Sequence, residues 1–582
     1  MKIFLRSVLA NIVAILLVFT LAFFLFIGLL TFGLKNGADT RPEITKKTIL
    51  TLDPKTEIIE SPAEGISSII PTKKQILLWD ILQAIRRAKF DENISGISIE
   101  TDDLVADLTH ITDIRAALKD FKSSGKLVYA YGNVVSQPTY YLGSVAEKYI
   151  LNPAGGIELK GNSAEVNFYK NFFTKYGIGI NVIRQGRYKA AVEPFLRNAL
   201  SEENKAQIST LIQDLWVPMA KDISSSRSID SSTLKTIVDS LYGIIPEHTL
   251  EHRLADQLLQ KSQYDLLLKE KLGLETSEKL NKISFGRYMQ SFLPNAAKDK
   301  VAILYASGNI MSGEGYEGIF SYDMVKEIKK IKEDKTIKAV VLRINSPGGS
   351  ANAADEILFE LSQLRQEKPL VVSFGDYAAS GGYYIATAAD KIYSEPNTIT
   401  GSIGVFSVFP NFKALANKNG ISSEIISTHA NSQIYSPMEG LSVGAEERIK
   451  KSVERTYKRF VYFVSKNRGK TFEEIDKLAR GKVWSGSRAL KVGLVDSLGS
   501  LQDAVVHAAK KGKVANYEIA TFPKKRSAVE QLFGNINQEH LTTQILKLKM
   551  GKEYRTIDML IKSRKNVPND LKMELPFSLN TR

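Results

Sequence analysis

The 582-residue chain contains no cysteine, and that absence removes disulfides, zinc-thiolate sites and a cysteine nucleophile together. Histidine is scarce: there are six, His110, His248, His252, His429, His507 and His540. A phosphate loop is missing too, because the GKT at 469–471 has Val464 where the earlier glycine is required. Basic residues outnumber acidic ones by 78 to 63, giving a net charge of +15. They are scattered, with mild enrichment after Lys510 and in the last forty residues, and form no basic stripe interleaved with stacking aromatics. Nucleic acid is therefore not an expected partner. Charge is absent altogether between Ser7 and Leu34. A bilayer span needs about 20 apolar residues, whereas a cleavable signal has an apolar region of only about 7–15. An uncleaved anchor over residues 1–45 is expected. Lys2 and Arg6 precede the run and Lys35, Arg41, Lys46 and Lys47 follow it, so flanking charge leaves the orientation open. No second run of that length follows.

What is present is a duplication. Shifted by 243 residues, the chain aligns with itself without a gap from about Leu78 to Pro194. Asp80 falls on Asp323, Gly132 on Gly375, Tyr140 and Tyr141 on Tyr383 and Tyr384, Pro153 on Pro396, and Pro194 on Pro437. Each copy alternates long stretches of helical period (LLWDILQAIRRAKF; MVKEIKKIKED) with short β-branched runs (ISGISIE; IKAVVLRI). That alternation predicts an α/β fold with a largely parallel sheet in each copy.

Where the copies differ in a loop after a strand, chemistry is the natural cause, since ligands sit beyond the carboxyl ends of parallel strands. The second copy has NSPGGS at 345–350 where the first has DDLVAD, and DYAASGG at 376–382 where the first has NVVSQPT. Ser380 thus aligns with Gln137. Paired glycines let backbone N–H groups approach a developing oxyanion, and a serine at a strand-to-helix turn is exposed for attack. A plain structural turn is the alternative for Ser-Gly-Gly alone. The first copy carries Lys189 in RQGRYKAAVEPF, where the second has Ser432. A lysine acts as a base only if burial lowers its pKa from about 10.4 toward neutrality; otherwise it is a solvated surface charge. Tyr188, Ala190, Ala191, Val192 and Phe195 are apolar enough to bury it. Among histidines, His429 is the rival base, aligning three residues before the lysine position. His248 and His252, four apart beside Glu247 and Glu251, read as a solvated helix face rather than a metal site.

NSPGGS, DYAASGGYYIATAAD and TGSIGV resemble the Clp-protease and crotonase-like superfamily, and within it the signal peptide peptidases. YKAAVEPF and GKVWSGSRALKVGLVDSLG at 481–499 resemble motifs of their long, tandem-repeat form, serine peptidase family S49. The resemblance covers residue 1 to about 520. It implies tandem Clp-like α/β domains, a first degenerate repeat over 46–290 that supplies the lysine, a second over 291–520 that supplies the serine, and a tail over 521–582. It implies Ser380 as nucleophile and Lys189 as general base. Gly348 or Gly349 with Gly381 would form the oxyanion hole, and Ser402 would orient the lysine; the first copy has Leu159 at the Ser402 position. It further implies remnant signal peptides as substrates, no metal or cofactor, a homo-tetramer, and a single-pass inner-membrane protein with a periplasmic catalytic portion. A crotonase-like acyl-CoA enzyme and a non-catalytic membrane scaffold are the competing functions.

Overall fold

The computed structural model describes residues 14–22, 24–25, 28, 41–52, 56–62, 74–292, 297–524 and 572–574. Most of the expected anchor and most of the tail lie outside these. Residues 14–22 are helical, with Ile15, Leu16, Leu17, Val18, Phe19 and Leu21 exposed. Among the described residues no helix is long and apolar enough to cross a membrane.

Each repeat folds around its own parallel sheet. The first sheet orders its strands Gln257–Leu258, Lys148–Glu158, Leu127–Ser136, Ile94–Glu100, Thr48–Leu52 and Lys282–Ser284, every pair parallel. The second runs Ile399–Gly401, Leu370–Ala379, Ile337–Ser346, Lys300–Ser307 and Glu518–Phe522, again parallel, with Val483–Ser485 added antiparallel at the edge. The duplication is visible in the elements: Leu127–Ser136 and Leu370–Ala379 begin 243 residues apart and are the same length, and helix Leu78–Ala88 stands to Ser321–Glu333 in the same step. These segments fold alike for local reasons. In Leu78–Ala88 the buried Leu78, Ile81, Leu82 and Ile85 recur at helical spacing, with Arg86 and Arg87 in the last turn, where the helix dipole favours cations. Ile337–Ser346 is buried along nearly its whole length, as a strand covered on both faces must be.

A third, mixed sheet joins the repeats. Gly179–Gln185 of the first pairs antiparallel with Val405–Asn411 of the second over seven residue pairs. This departs from the alignment. The 243-residue shift places Gly179–Gln185 on residues 422–428, which form no strand and are exposed. Other contacts bind the repeats side by side. Trp79 packs with Val301, Tyr305 and Leu501 of the second core, and helix Glu202–Arg227 lies on Val483–Ser485, where Gln207 Oε1 accepts from Val483 N at 2.9 Å.

Candidate active site

Ser380 stands between strand Leu370–Ala379 and helix Gly381–Ala386, with φ 55° and ψ −116°. A positive φ at a residue with a Cβ is strained by about 1–3 kcal/mol and persists only if its surroundings enforce it. Here the Ser380 N–H donates to Gly401 O at 2.8 Å, and Tyr384 N–H donates to Ser380 O at 2.8 Å. The turn also presses on the other glycine loop: a Cβ on Gly382 would lie 2.7 Å from Ser346 O, and one on Gly381 3.2 Å from Gly349 N. Gly348 and Gly349 have φ of 109° and 153°, and Gly348 N–H donates to Ser346 Oγ at 3.2 Å.

Lys189 arrives from the joining sheet. Strand Gly179–Gln185 ends, Gly186 turns the chain at φ 113°, and Lys189 N–H donates to Gly186 O at 3.2 Å. Its side chain runs inward and has no exposure to solvent. The amine Nζ lies 2.9 Å from Ser380 Oγ, 2.9 Å from Ser402 Oγ, 3.1 Å from Ser402 O and 5.9 Å from the Phe406 ring centre. Ser380 and Ser402 are equally inaccessible. The structure therefore brings together the serine, the lysine, Ser402 and both glycine loops. An amine so placed can take a proton from Ser380 Oγ directly and return it to a leaving group.

One turn, residues 480–482 at the head of the GKVWSG motif, holds both polar loops, a role the sequence did not assign to it. Tyr188 N–H donates to Arg480 O at 2.9 Å, Gly481 N–H to Ile403 O at 2.7 Å, and Ser402 N–H to Lys482 O at 2.7 Å. Gly481, at φ 82°, has no room for a Cβ, which would sit 2.5 Å from Lys189 N. Hence the GKVWSG stretch belongs to the site although no side chain of it reaches the serine. Within YKAAVEPF, Glu193 is structural: its buried carboxylate accepts from Ser201 Oγ at 2.6 Å and Ser201 N at 3.2 Å.

A second unforeseen group braces the glycine loops from behind. Asn345, at the head of NSPGGS, donates from Nδ2 to Asp107 Oδ2 at 2.7 Å and accepts from Tyr377 N at 3.0 Å. Asp376, at the head of DYAASGG, accepts from Leu108 N and Thr109 N at 3.1 and 2.7 Å. Deeper in, the Glu60 carboxylate accepts from Arg343 Nε at 2.7 Å and lies 2.7 Å from His110 Nε2. Burial would raise the Glu60 pKa, but Arg343 and His110 hold it well below the usual carboxylate range. Burial would likewise depress His110, yet the Glu60 carboxylate drives it up to about 9. Asp376 is pushed up to about 6, by burial and then by the nearby Asp107 carboxylate. Ligand atoms of Glu60, Asp107 and His110 lie within 4.8 Å of one another, and the Glu60 carboxylate among them is already paired with Arg343.

Neither His429 nor the His248/His252 pair joins the dyad, and His540 lies outside the described residues. His429 is exposed and its Nδ1 lies 3.0 Å from Thr428 Oγ1. His252 stacks on Tyr242 with ring centres 4.8 Å apart and its plane within 3°. Gly469 and Thr471 of the GKT are a left-handed helix cap and the N-cap of the next helix. In the first copy Gln137 occupies the position equivalent to Ser380, and its Oε1 accepts from Lys160 N and Gly161 N at 3.0 and 2.8 Å, closing the loop that Leu159 enters.

A buried serine on a strained strand-to-helix turn, with an amine in reach and glycine N–H groups alongside, is the site of a serine hydrolase. The chain matches the family model described as Peptidase family S49 over residues 120–275 and 362–515, and that of Clp protease over 294–400. It is 34% identical over 539 residues to Protease 4 of Salmonella typhi, covering 88% of this chain and 87% of the relative. It is 35% identical to Protease 4 of Haemophilus influenzae, covering 74% and 72%. It is also 31% identical to a putative signal peptide peptidase SppA of Enterococcus faecium, over 44% of this chain and 76% of that one. The chain belongs to peptidase family S49 and is a serine peptidase.

Proposed function

We propose that this peptidase works through a Ser380/Lys189 dyad assembled from the two repeats. The observation that carries this is the 2.9 Å separation of Lys189 Nζ and Ser380 Oγ, both buried. Ser380 Oγ attacks the scissile carbonyl carbon while the neutral Lys189 amine takes its proton. The tetrahedral oxyanion is held by backbone N–H groups. Gly348 N–H is engaged by Ser346 Oγ, which favours Gly349 N–H; Gly381 N–H, at the first position of its helix, has no acceptor within the helix. The C–N bond then breaks, Lys189 gives its proton to the leaving amine, and water hydrolyses the acyl ester by the same relay. Ser402 keeps the amine aimed at Ser380 through its hydroxyl and its carbonyl.

The substrates are extended apolar peptides beside a membrane, remnant signal peptides among them, as the name of the Enterococcus faecium relative suggests. The exposed apolar side chains of residues 14–22 fit a lipid surface, so we place the chain at the inner membrane through residues 1–45, its repeats (46–290 and 291–520) on the periplasmic side, assembled as a tetramer. A fluorophosphonate probe tests the nucleophile: peptide mapping should find the label on Ser380 and nowhere in Ser380→Ala. Thioester turnover with no peptide cleavage, or label elsewhere, would overturn the proposal.

A further inference from the structure

Helix Lys170–Tyr176 buries none of its residues, although three of its seven are aromatic. The Phe172 ring lies 4.7 Å from Tyr176 and 5.8 Å from Phe173, which lies 6.2 Å from Tyr169. Tyr169, Phe172 and Tyr176 are 43%, 54% and 44% exposed. The helix one repeat later, Lys413–Lys418, lies against this one: Leu415 N–H donates to Gly177 O at 2.9 Å. The chain beyond it exposes Ile421, Ile425 and Ile426, the last at 95%. Segments 169–177 and 412–426 carry four lysines and one carboxylate, Glu424. Lys413 is paired with Glu439, whereas Lys170, Lys175 and Lys418 are exposed and form no ion pair among the described residues. The Lys175 amine lies 5.6 Å from the Tyr176 ring centre.

A single exposed apolar side chain is ordinary, but a contiguous group of them marks an interaction. We propose that the paired helices Lys170–Tyr176 and Lys413–Lys418 form a docking surface for an anionic lipid bilayer, a second membrane contact besides residues 1–45. This rests on the membrane placement above. Aromatic rings mixed with lysines suit the membrane–water boundary: the rings sit at headgroup depth, and the ammonium groups reach lipid phosphates along their own apolar stems. A second copy of the chain fits less well, because a twofold contact would set these lysines against one another. The anchor also supplies proximity. Thirteen residues, 35–47, separate the uncharged run from strand Thr48–Leu52, a reach of at most about 50 Å, so even weak lipid affinity suffices. The antiparallel strands Gly179–Gln185 and Val405–Asn411 run from this surface toward Lys189. Their seven residues, at about 3.3 Å each, hold Ser380 about 20 Å from the lipid. A peptide must then stand on the order of six extended residues clear of the bilayer to be cut.

Because the chain has no cysteine, Phe172→Cys and Lys335→Cys each accept one thiol-reactive fluorophore; Lys335 is exposed ahead of strand Ile337–Ser346. The full chain is reconstituted into vesicles of phosphatidylcholine alone or mixed with phosphatidylglycerol, with brominated acyl chains as quencher. In the anionic vesicles the label at 172 should be quenched severalfold more than the label at 335. Neutral lipid or high salt should shrink that difference. Lys170→Glu, Lys175→Glu and Lys418→Glu together should abolish it, while the fluorophosphonate probe still labels Ser380 in detergent as in the parent chain. Vesicles that carry the chain with position 172 quenched no more than 335 overturn the docking surface and leave the anchor standing. A label at 172 that is shielded from aqueous acrylamide but not quenched by lipid puts a second copy on this face, and also overturns it. Vesicles that float without the chain overturn the anchor and the docking surface together.

Discussion

Replacing Glu60 by glutamine tests how the two repeats are locked together. Glu60 comes from the first repeat, is 7% exposed, and its oxygens serve Arg343 Nε at 2.7 Å, Arg343 Nη2 at 3.3 Å and His110 Nε2 at 2.7 Å. Arg343 comes from the second repeat and is fully buried; its Nη1 donates to Ser373 Oγ and Phe374 O on the strand that leads to Ser380. The substituted amide keeps the shape of the carboxylate but removes its charge, stranding a guanidinium in the interior. Breaking a buried pair from one side costs about 3–5 kcal/mol, whereas replacing both partners with apolar groups is often neutral. Denaturant unfolding of Glu60→Gln should show that loss, and Glu60→Leu with Arg343→Met should recover most of it. The pH dependence supplies a second readout. His110, raised to about 9 from an ordinary 6.5, contributes stability that is fully present below pH 6.5 and lost as pH rises through 9. At about 1.4 kcal/mol per pKa unit this is a decline on the order of 3 kcal/mol in the wild type, and it should flatten in Glu60→Gln. A loss below about 1 kcal/mol at pH 6, or an unchanged slope above pH 6.5, would refute the reasoning.

Ser402→Ala removes a hydrogen bond to the Lys189 amine at 2.9 Å. Its kcat should fall about 10–100-fold with KM little changed, in steady-state peptide hydrolysis. Gly481→Ala puts a Cβ 2.5 Å from Lys189 N and should lower kcat more than it lowers the melting temperature. Asp376, raised to about 6, favours its protonated form in the fold, so its contribution to stability is present below about pH 4 and lost as pH rises through 6. Asp376→Asn should remove that decline from a melting-temperature series between pH 4 and 7.

The repeat was legible because its evidence is local. Strands such as Leu127–Ser136 and Leu370–Ala379 are written in β-branched runs, and their flanking helices in apolar spacing. Ser380 stood out because the equivalent loop of the first copy lacks it, and Lys189 because the shifted sequence puts Ser432 at its place, although the two copies no longer fold alike there. Within the aligned stretch the two copies part at Gly179–Gln185, where pairing with Val405–Asn411 rather than intrinsic propensity makes a strand; residues 422–428 lack such an edge. Asp107, Asp376, Glu60 and Arg343 were invisible for a related reason. Arg343 and Glu60 are 283 positions apart, and no spacing rule connects a charge to a partner at that distance in sequence. Strand Lys572–Glu574 likewise owes its form to pairing with Gly348–Ser350, far away in sequence.

The most direct measurement is the single-turnover rate of peptide cleavage by Lys189→Met, beside Ser380→Ala and the double variant. Lys189 and Ser380 acting as one unit should give losses of at least about 10²–10⁴-fold singly, with the double variant no worse than the more severe single one. A folded Lys189→Met enzyme that cleaves within about tenfold of the wild type would contradict the dyad, since a general base supplies more than that.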